Sequence, residues 1–121
     1  MKILSAKRFS INLLRQHKDK TFIFGDNLIG KGKGGQAIIR DEPNAIGIPT
    51  KKLPSMSNDA FFSDKEFSQN KIAIDNAINK IPKNKILVVP KDGLGTGRAK
   101  LKEKAPQTYF YLIEKLKELK K

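Results

Sequence analysis

Apolar residues recur along this chain with two different periods, and the changes between them mark an alternation of short strands and helices. Residues 1–8 read as an edge strand or an irregular start. Ser10 stands where an N-cap belongs, ahead of a short helix through His17, because its hydroxyl can accept from the unpaired N–H groups of a first turn. Thr21-Phe22-Ile23-Phe24-Gly25 is β-branched and aromatic without polar interruption, the pattern of a buried strand. A short helix is predicted over residues 35–40, stopped by the turn Asp41-Glu42-Pro43-Asn44, and a second strand over residues 45–49, ended by Pro49. Residues 50–62 follow neither period and read as a long loop. Loops of that length are commonly functional or mobile, and Phe61 or Phe62 can either form an aromatic wall of a pocket or anchor the loop to the core.

The clearest helix starts at Ser63-Asp64-Lys65-Glu66, a capping-box arrangement in which the serine accepts from the Glu66 amide and the glutamate reaches back. Phe67, Ile74, Ala77, Ile78 and Ile81 share one stripe at helical spacing, and Pro82 closes the element. Lys85-Ile86-Leu87-Val88-Val89-Pro90 suits a parallel strand covered on both faces. A last helix over residues 105–119 has Pro106 in its first turn and a stripe of Tyr109, Leu112, Ile113, Leu116 and Leu119. Lys115, Lys117, Lys120 and Lys121 gather at the negative end of its dipole. Alternating strands and helices in 121 residues predict one α/β domain, with a core over about residues 21–119 and no repeat or linker.

Two predicted strands are each followed at once by glycine. The turns Gly30-Lys31-Gly32-Lys33-Gly34-Gly35 and Gly93-Leu94-Gly95-Thr96-Gly97 hold seven of the nine glycines of the chain. Without Cβ atoms, backbone N–H groups in such turns can converge on a phosphate, and a helix N-terminus behind them adds partial positive charge. Ligands of α/β sheets bind beyond the carboxyl ends of the strands, so the two turns are expected to share one edge and grip one ligand from two sides. Neither turn has the Gly-Lys-Ser/Thr ending of a P-loop, and no acidic residue stands at the spacing of a dinucleotide fold.

Composition changes this picture in two ways. The chain has no cysteine, which removes disulfides, thiolate nucleophiles and sulfur-ligated metals and fits a reducing, cytoplasmic compartment. Apolar runs of five or six residues are far short of the roughly 20 that cross a bilayer, so no membrane partner is expected. The net charge of +13 draws in any phosphorylated ligand and makes nucleic acid a possible partner. Lysine outnumbers arginine 21 to 4, however, and a lysine-rich surface also arises simply as solvated faces.

Around Phe24-Gly25-Asp26-Asn27, Gly30 to Gln36, Val89-Pro90 and Gly93 to Gly97, the sequence resembles the macro domain and small macro-domain-like proteins of bacteria and their phages. The resemblance covers roughly residues 21–113. It implies a three-layer fold with a mixed, mostly parallel sheet flanked by helices. It also implies a site for ADP-ribose or a related nucleotide, including an NAD-derived or cyclic signalling molecule, whose diphosphate lies between the two loops. In a phage protein, such a site would serve to sequester a host defence signal in the host cytoplasm.

Roles follow residue by residue. The backbone around Gly25, Gly30, Gly32, Gly34, Gly35, Gly93, Gly95 and Gly97 would hold phosphate, or these glycines are ordinary tight turns. Asp26 and Asn27 would meet a base or ribose, or else cap the turn that follows the strand. Gln36 would face the ligand from the start of a helix, Thr96 would donate its hydroxyl to phosphate, and Arg98 would fork onto it. Lys31, Lys33 and Lys91 would add charge at the rim, and Asp92 would brace its own loop. His17, the only histidine, is expected at the surface, and no ligand cluster suggests a metal or other cofactor. Three functions remain: a nucleotide-binding module, a hydrolase of ADP-ribose derivatives in which Asp26 orients water, and a nucleic-acid binder.

Overall fold

In the computed structural model, which describes residues 1–120, four short apolar runs form the strands β1 (Ile3–Ala6), β2 (Lys20–Asn27), β3 (Ala45–Lys51) and β4 (Ile86–Pro90). Lys121, the end of the expected basic tail, lies outside the described residues. The strands pair in the order β1-β4-β2-β3, and every ladder is parallel. The mixed sheet expected from the family resemblance is therefore an all-parallel one. The antiparallel pairing in the chain is an isolated bridge between Lys51 and Phe61. Parallel neighbours need long crossovers: α1 (Ile11–Gln16) lies between β1 and β2 and α2 (Phe67–Ile78) between β3 and β4, while α3 (Leu101–Lys104) and α4 (Pro106–Leu119) follow β4.

Successive residues of a strand point to opposite faces, so β2 supplies two cores at once. Phe22 and Phe24 join Phe9, Leu14, Ala37, Ile39 and Val88 on the face covered by α1 and a 3₁₀ turn, Gly35–Ile39. Ile23 joins Ile48, Phe62, Leu87 and the buried residues of α2, α3 and α4 on the other face. The result is three layers with both faces of the central strands β2 and β4 covered, which is why those two read as continuous apolar runs, whereas Leu4 and Ser5 of the edge strand β1 stay exposed. Residues ahead of 21 belong to this core. β1 completes the sheet beside β4, Phe9 packs edge-on against Phe22 at 5.5 Å, and Leu14 is fully buried.

Several boundaries differ from the sequence reading for local reasons. β3 runs through Pro49 to Lys51, which a proline tolerates because β3 is the edge strand. Opposite it, Asp26 and Asn27 pair with Pro49 and Lys51, so Thr50 bulges out of register. Ser10 caps α1 as expected, accepting from the Leu13 N–H at 3.1 Å. The capping box at Ser63 does not form. Ser63 accepts from Lys65 at 3.2 Å, and the Glu66 carboxylate instead pairs with Lys52 at 2.6 Å, so a 3₁₀ turn, Asp64–Glu66, precedes α2. Phe61 and Phe62 are both buried and anchor the long loop. Among the described residues no helix is long and apolar enough to cross a membrane.

Candidate functional site

Both glycine turns leave the carboxyl end of the sheet from neighbouring strands, the first after β2 and the second after β4. They enclose a cavity of about 540 Å³, a size that accepts a small organic ligand. Its floor is the end of β2, with Gly25, Asp26, Asn27 and the bulged Thr50. Its walls are Lys31, Gly32, Gly34, Gly35 and Gln36 on one side and Asp92, Gly93, Gly95, Thr96, Gly97 and Arg98 on the other. Of the residues expected to hold the ligand, as distinct from the rim lysines, Gly30 is the one that does not line it. Lys31 does so, whereas Lys33 and Lys91 do not, and Lys33 instead pairs with Asp41 at 2.5 Å.

The loops touch through glycines. A Cβ on Gly34 would lie 3.7 Å from the Arg98 guanidinium, and one on Gly25 would lie 3.7 Å from the Gly95 nitrogen. Gly95 itself has φ +74°, and a Cβ there would come 2.9 Å from that of Leu101, so the buried turn needs glycine twice over. Within the described chain, the N–H groups of residues 32–36 and 94–99 donate to no backbone or side-chain acceptor. Leu94 and Gly95 are buried, and such groups normally find a partner. The expected helix dipoles contribute little. The first loop runs into a 3₁₀ turn of five residues, and the second reaches α3, of four residues, only through Lys100 in a left-handed conformation.

The polar side chains divide into those holding the loops and those left for a ligand. Asp26 is not a free acceptor. Arg40 donates to both of its carboxylate oxygens, at 2.9 and 2.7 Å, and the Asn27 N–H adds a third bond at 2.7 Å. The same guanidinium donates to the carbonyls of Gly32 at 2.9 Å and Lys31 at 3.2 Å, and lies over the Phe24 ring. Asn27 closes the turn from inside, donating to the Lys31 carbonyl at 2.7 Å and accepting from Ile29 at 3.2 Å. Thr96 spends its hydroxyl proton on the Asp92 carbonyl at 2.9 Å, so it braces the second loop, and Asp92 takes part through its backbone. Gln36 and Arg98 make no side-chain hydrogen bond among the described residues, and Arg98 is exposed at the cavity.

Three contributors were invisible to local pattern. Arg40 lies 14 residues beyond its partner, and nothing near it marks the pairing. Residues 54–56, Pro54-Ser55-Met56, line the cavity from the long loop, and Pro54 lies 3.4 Å from where a Gly32 Cβ would be. Lys51 also lines it, buried, with its ammonium on the Ser55 carbonyl and 4.9 Å from the Phe61 ring centre. Burial, followed by the nearby Arg98 charge, holds the Lys51 pKa below the ordinary lysine value. A glycine inside a strand was a usable signal. A Cβ on Gly47 would collide with the Asp26 carboxylate lying across β3.

His17 lies away from this edge, as the C-cap of α1, with its Nδ1 3.4 Å from the Lys20 ammonium. No group of three metal-ligating side chains occurs among the described residues. The model of a family of unknown function, DUF7831, matches residues 4–115. No curated protein and no solved structure matches the chain.

Proposed function

We propose that this chain, which belongs to that family, binds a small phosphorylated nucleotide of the ADP-ribose, NAD-derived or cyclic type between its two glycine loops. The observation that carries the reading is the pairing of N–H groups on both loops that have no protein acceptor with the Arg98 guanidinium at one cavity of about 540 Å³. Neutral hydrogen-bond donors and unneutralised cations in one concave site favour an anion. The macro-domain likeness belongs to the same proposal, supported by the two loops leaving one sheet edge. Engagement of the Asp26 carboxylate by Arg40 favours holding the ligand over hydrolysing it. Holding without turnover is what sequestration of a signalling nucleotide requires.

Thermal unfolding with ADP-ribose, NAD, a cyclic dinucleotide and a short RNA, followed by chromatography of each incubated ligand, tests this. A nucleotide present at a hundredfold excess over Kd stabilises by about 2.7 kcal/mol. The expected result is a rise in Tm with one nucleotide, recovered intact, and loss of that rise in Arg98→Ala and Gly34→Val. If no nucleotide stabilises the protein, the reading is wrong. If the ligand is recovered cleaved, the hydrolase reading replaces it.

A further inference from the structure

Among the described residues, Lys51 is the charged residue that is buried, at 9% exposure. It stands at the end of β3, just after the bulge at Thr50, at the neck of the long loop. The neck is closed by the Lys51–Phe61 bridge and by the Lys52 and Leu53 N–H groups, which donate to the Ala60 carbonyl at 2.8 and 3.3 Å. Residues 52–60 therefore leave and return at one point and form a strap whose middle, Pro54-Ser55-Met56, borders the cavity.

Every contact the Lys51 ammonium makes is to a neutral group. It donates to the Ser55 carbonyl, lies 3.6 Å from the Met56 sulfur and stacks on the Phe61 ring. No described carboxylate is within 4.0 Å of it. Arg40, the other shielded cation at this cavity, has a bidentate carboxylate. An ammonium on a shielded residue that meets only neutral partners and borders a cavity beside a second cation is arranged to receive an anion from outside.

We infer that the Lys51 ammonium is the cation by which the cavity recognises a phosphate group of its ligand, and the link through which that ligand engages the strap. The inference rests on the phosphorylated-ligand reading above and adds a residue that lies on neither glycine loop. A phosphate beside Lys51 compensates its charge and draws the strap inward through Ser55 and Met56. It also restores the affinity of Lys51 for its proton, which burial and Arg98 reduce in the free protein. At pH values between the free and occupied pKa, binding therefore takes up a proton, and affinity falls as pH rises through that interval. The other charged groups facing this space are Arg98 and Asp92 of the second loop, Lys31 and the Asp26–Arg40 pair at the first, and Lys104 of α3, whose ammonium lies 5.1 Å from the Phe61 ring centre.

Calorimetry with ADP-ribose and with sodium sulfate, from about pH 7 to about pH 10 in buffers of different ionisation heat, tests the inference, since neither anion titrates there. The wild type should take up a fraction of a proton on binding at alkaline pH. Lys51→Met, which keeps an apolar stem on Phe61, should lose that uptake and bind ADP-ribose roughly tenfold more weakly. Lys51→Arg should bind without uptake, and Lys31→Met should retain it. Should Lys51→Met fail to fold, wild-type uptake and the Lys51→Arg profile still decide. Binding of ADP-ribose with no proton uptake, or with equal affinity in Lys51→Met, overturns the inference and leaves the nucleotide reading standing. Sulfate binding with uptake but no ADP-ribose binding supports the Lys51 site and removes ADP-ribose as the ligand, leaving the other nucleotides to the thermal-unfolding series. If neither anion binds, the Lys51 inference falls, and the nucleotide reading is decided by the thermal-unfolding series.

Discussion

Gly47 lacks a side chain in the middle of an edge strand, and the Asp26 carboxylate fills the space it leaves. A Cβ there would lie 2.8 Å from the Asp26 Cβ and 2.9 Å from its Cγ, too close to be relieved by turning the carboxylate alone. Asp26 is in turn the residue that fixes Arg40, and Arg40 fixes the first loop through two carbonyls. Gly47→Ala is therefore expected to destabilise by about 1–3 kcal/mol, the usual cost of forcing an extra methyl into a packed site. Gly97→Ala meets no atom within 4 Å and has no positive φ, so it should change stability by less than about 0.5 kcal/mol. Urea denaturation of both variants checks the contrast, and equal effects would show that the Asp26 contact does not constrain β3. At this scale the sequence carries a residue's type but not its distant partner. The glycine turns and Arg98 were legible because their chemistry lies in adjacent positions. Asp26 and Asn27 were legible as turn residues, but the engagement of Asp26 was not, because whether a carboxylate is free depends on an arginine beyond a glycine loop and a 3₁₀ turn.

Elements were more legible than residues wherever one face alone had to be apolar. α2 and α4 show their stripes because each lies on the sheet with its other side in water, and β2 and β4 show as unbroken apolar runs because both faces are covered. Element ends followed tertiary contacts that no local pattern announces. The N-terminus of α4 shows this most clearly. Its adjacent Ala105 has no capping side chain, and Asp64, 43 residues earlier, accepts from the N–H groups of Gln107 at 2.9 Å and Thr108 at 3.1 Å. The Thr108 hydroxyl donates to the same carboxylate at 3.0 Å and accepts from Asn70 of α2 at 3.1 Å, so the cap also ties two helices together. The Ser63 to Glu66 motif thus precedes α2, while Asp64, one of its two acidic residues, caps a different helix. Loss of an N-cap costs about 1–2 kcal/mol, and Asp64→Ala should lose at least that by urea denaturation. Asp64→Asn, which can still accept one bond, should recover part of it. Ser63→Ala should cost less than Asp64→Ala, and the reverse order would return the cap to the local motif.

Across the whole molecule, 25 basic residues face 12 acidic ones, but among the described residues only Lys31, Arg40, Lys51 and Arg98 of the basic set border the cavity. Many of the rest are distributed over exposed helix faces, some in pairs such as Lys115 with Glu118 and Lys117 with Glu114 that are worth little in water. The charge of +13 can therefore act in two separable ways, as a diffuse field over the surface or as a few cations concentrated at one edge of the sheet. Salt distinguishes them, because each phosphate neutralised releases bound counter-ions and steepens the dependence. A single-stranded RNA lying over five or so surface lysines should lose about a hundredfold in affinity between about 50 and about 200 mM salt, while a dinucleotide-sized ligand with two phosphates should lose less than about tenfold. Arg98→Ala should weaken only the second. Titrating a short RNA and ADP-ribose against wild type and Arg98→Ala at both salt concentrations gives four ratios, and the cavity reading requires that salt and mutation act on different ligands. If Arg98→Ala weakens RNA as strongly as it weakens ADP-ribose, and both show the shallow dependence, the glycine loops receive the end of a nucleic-acid strand and the free nucleotide is only a fragment of it.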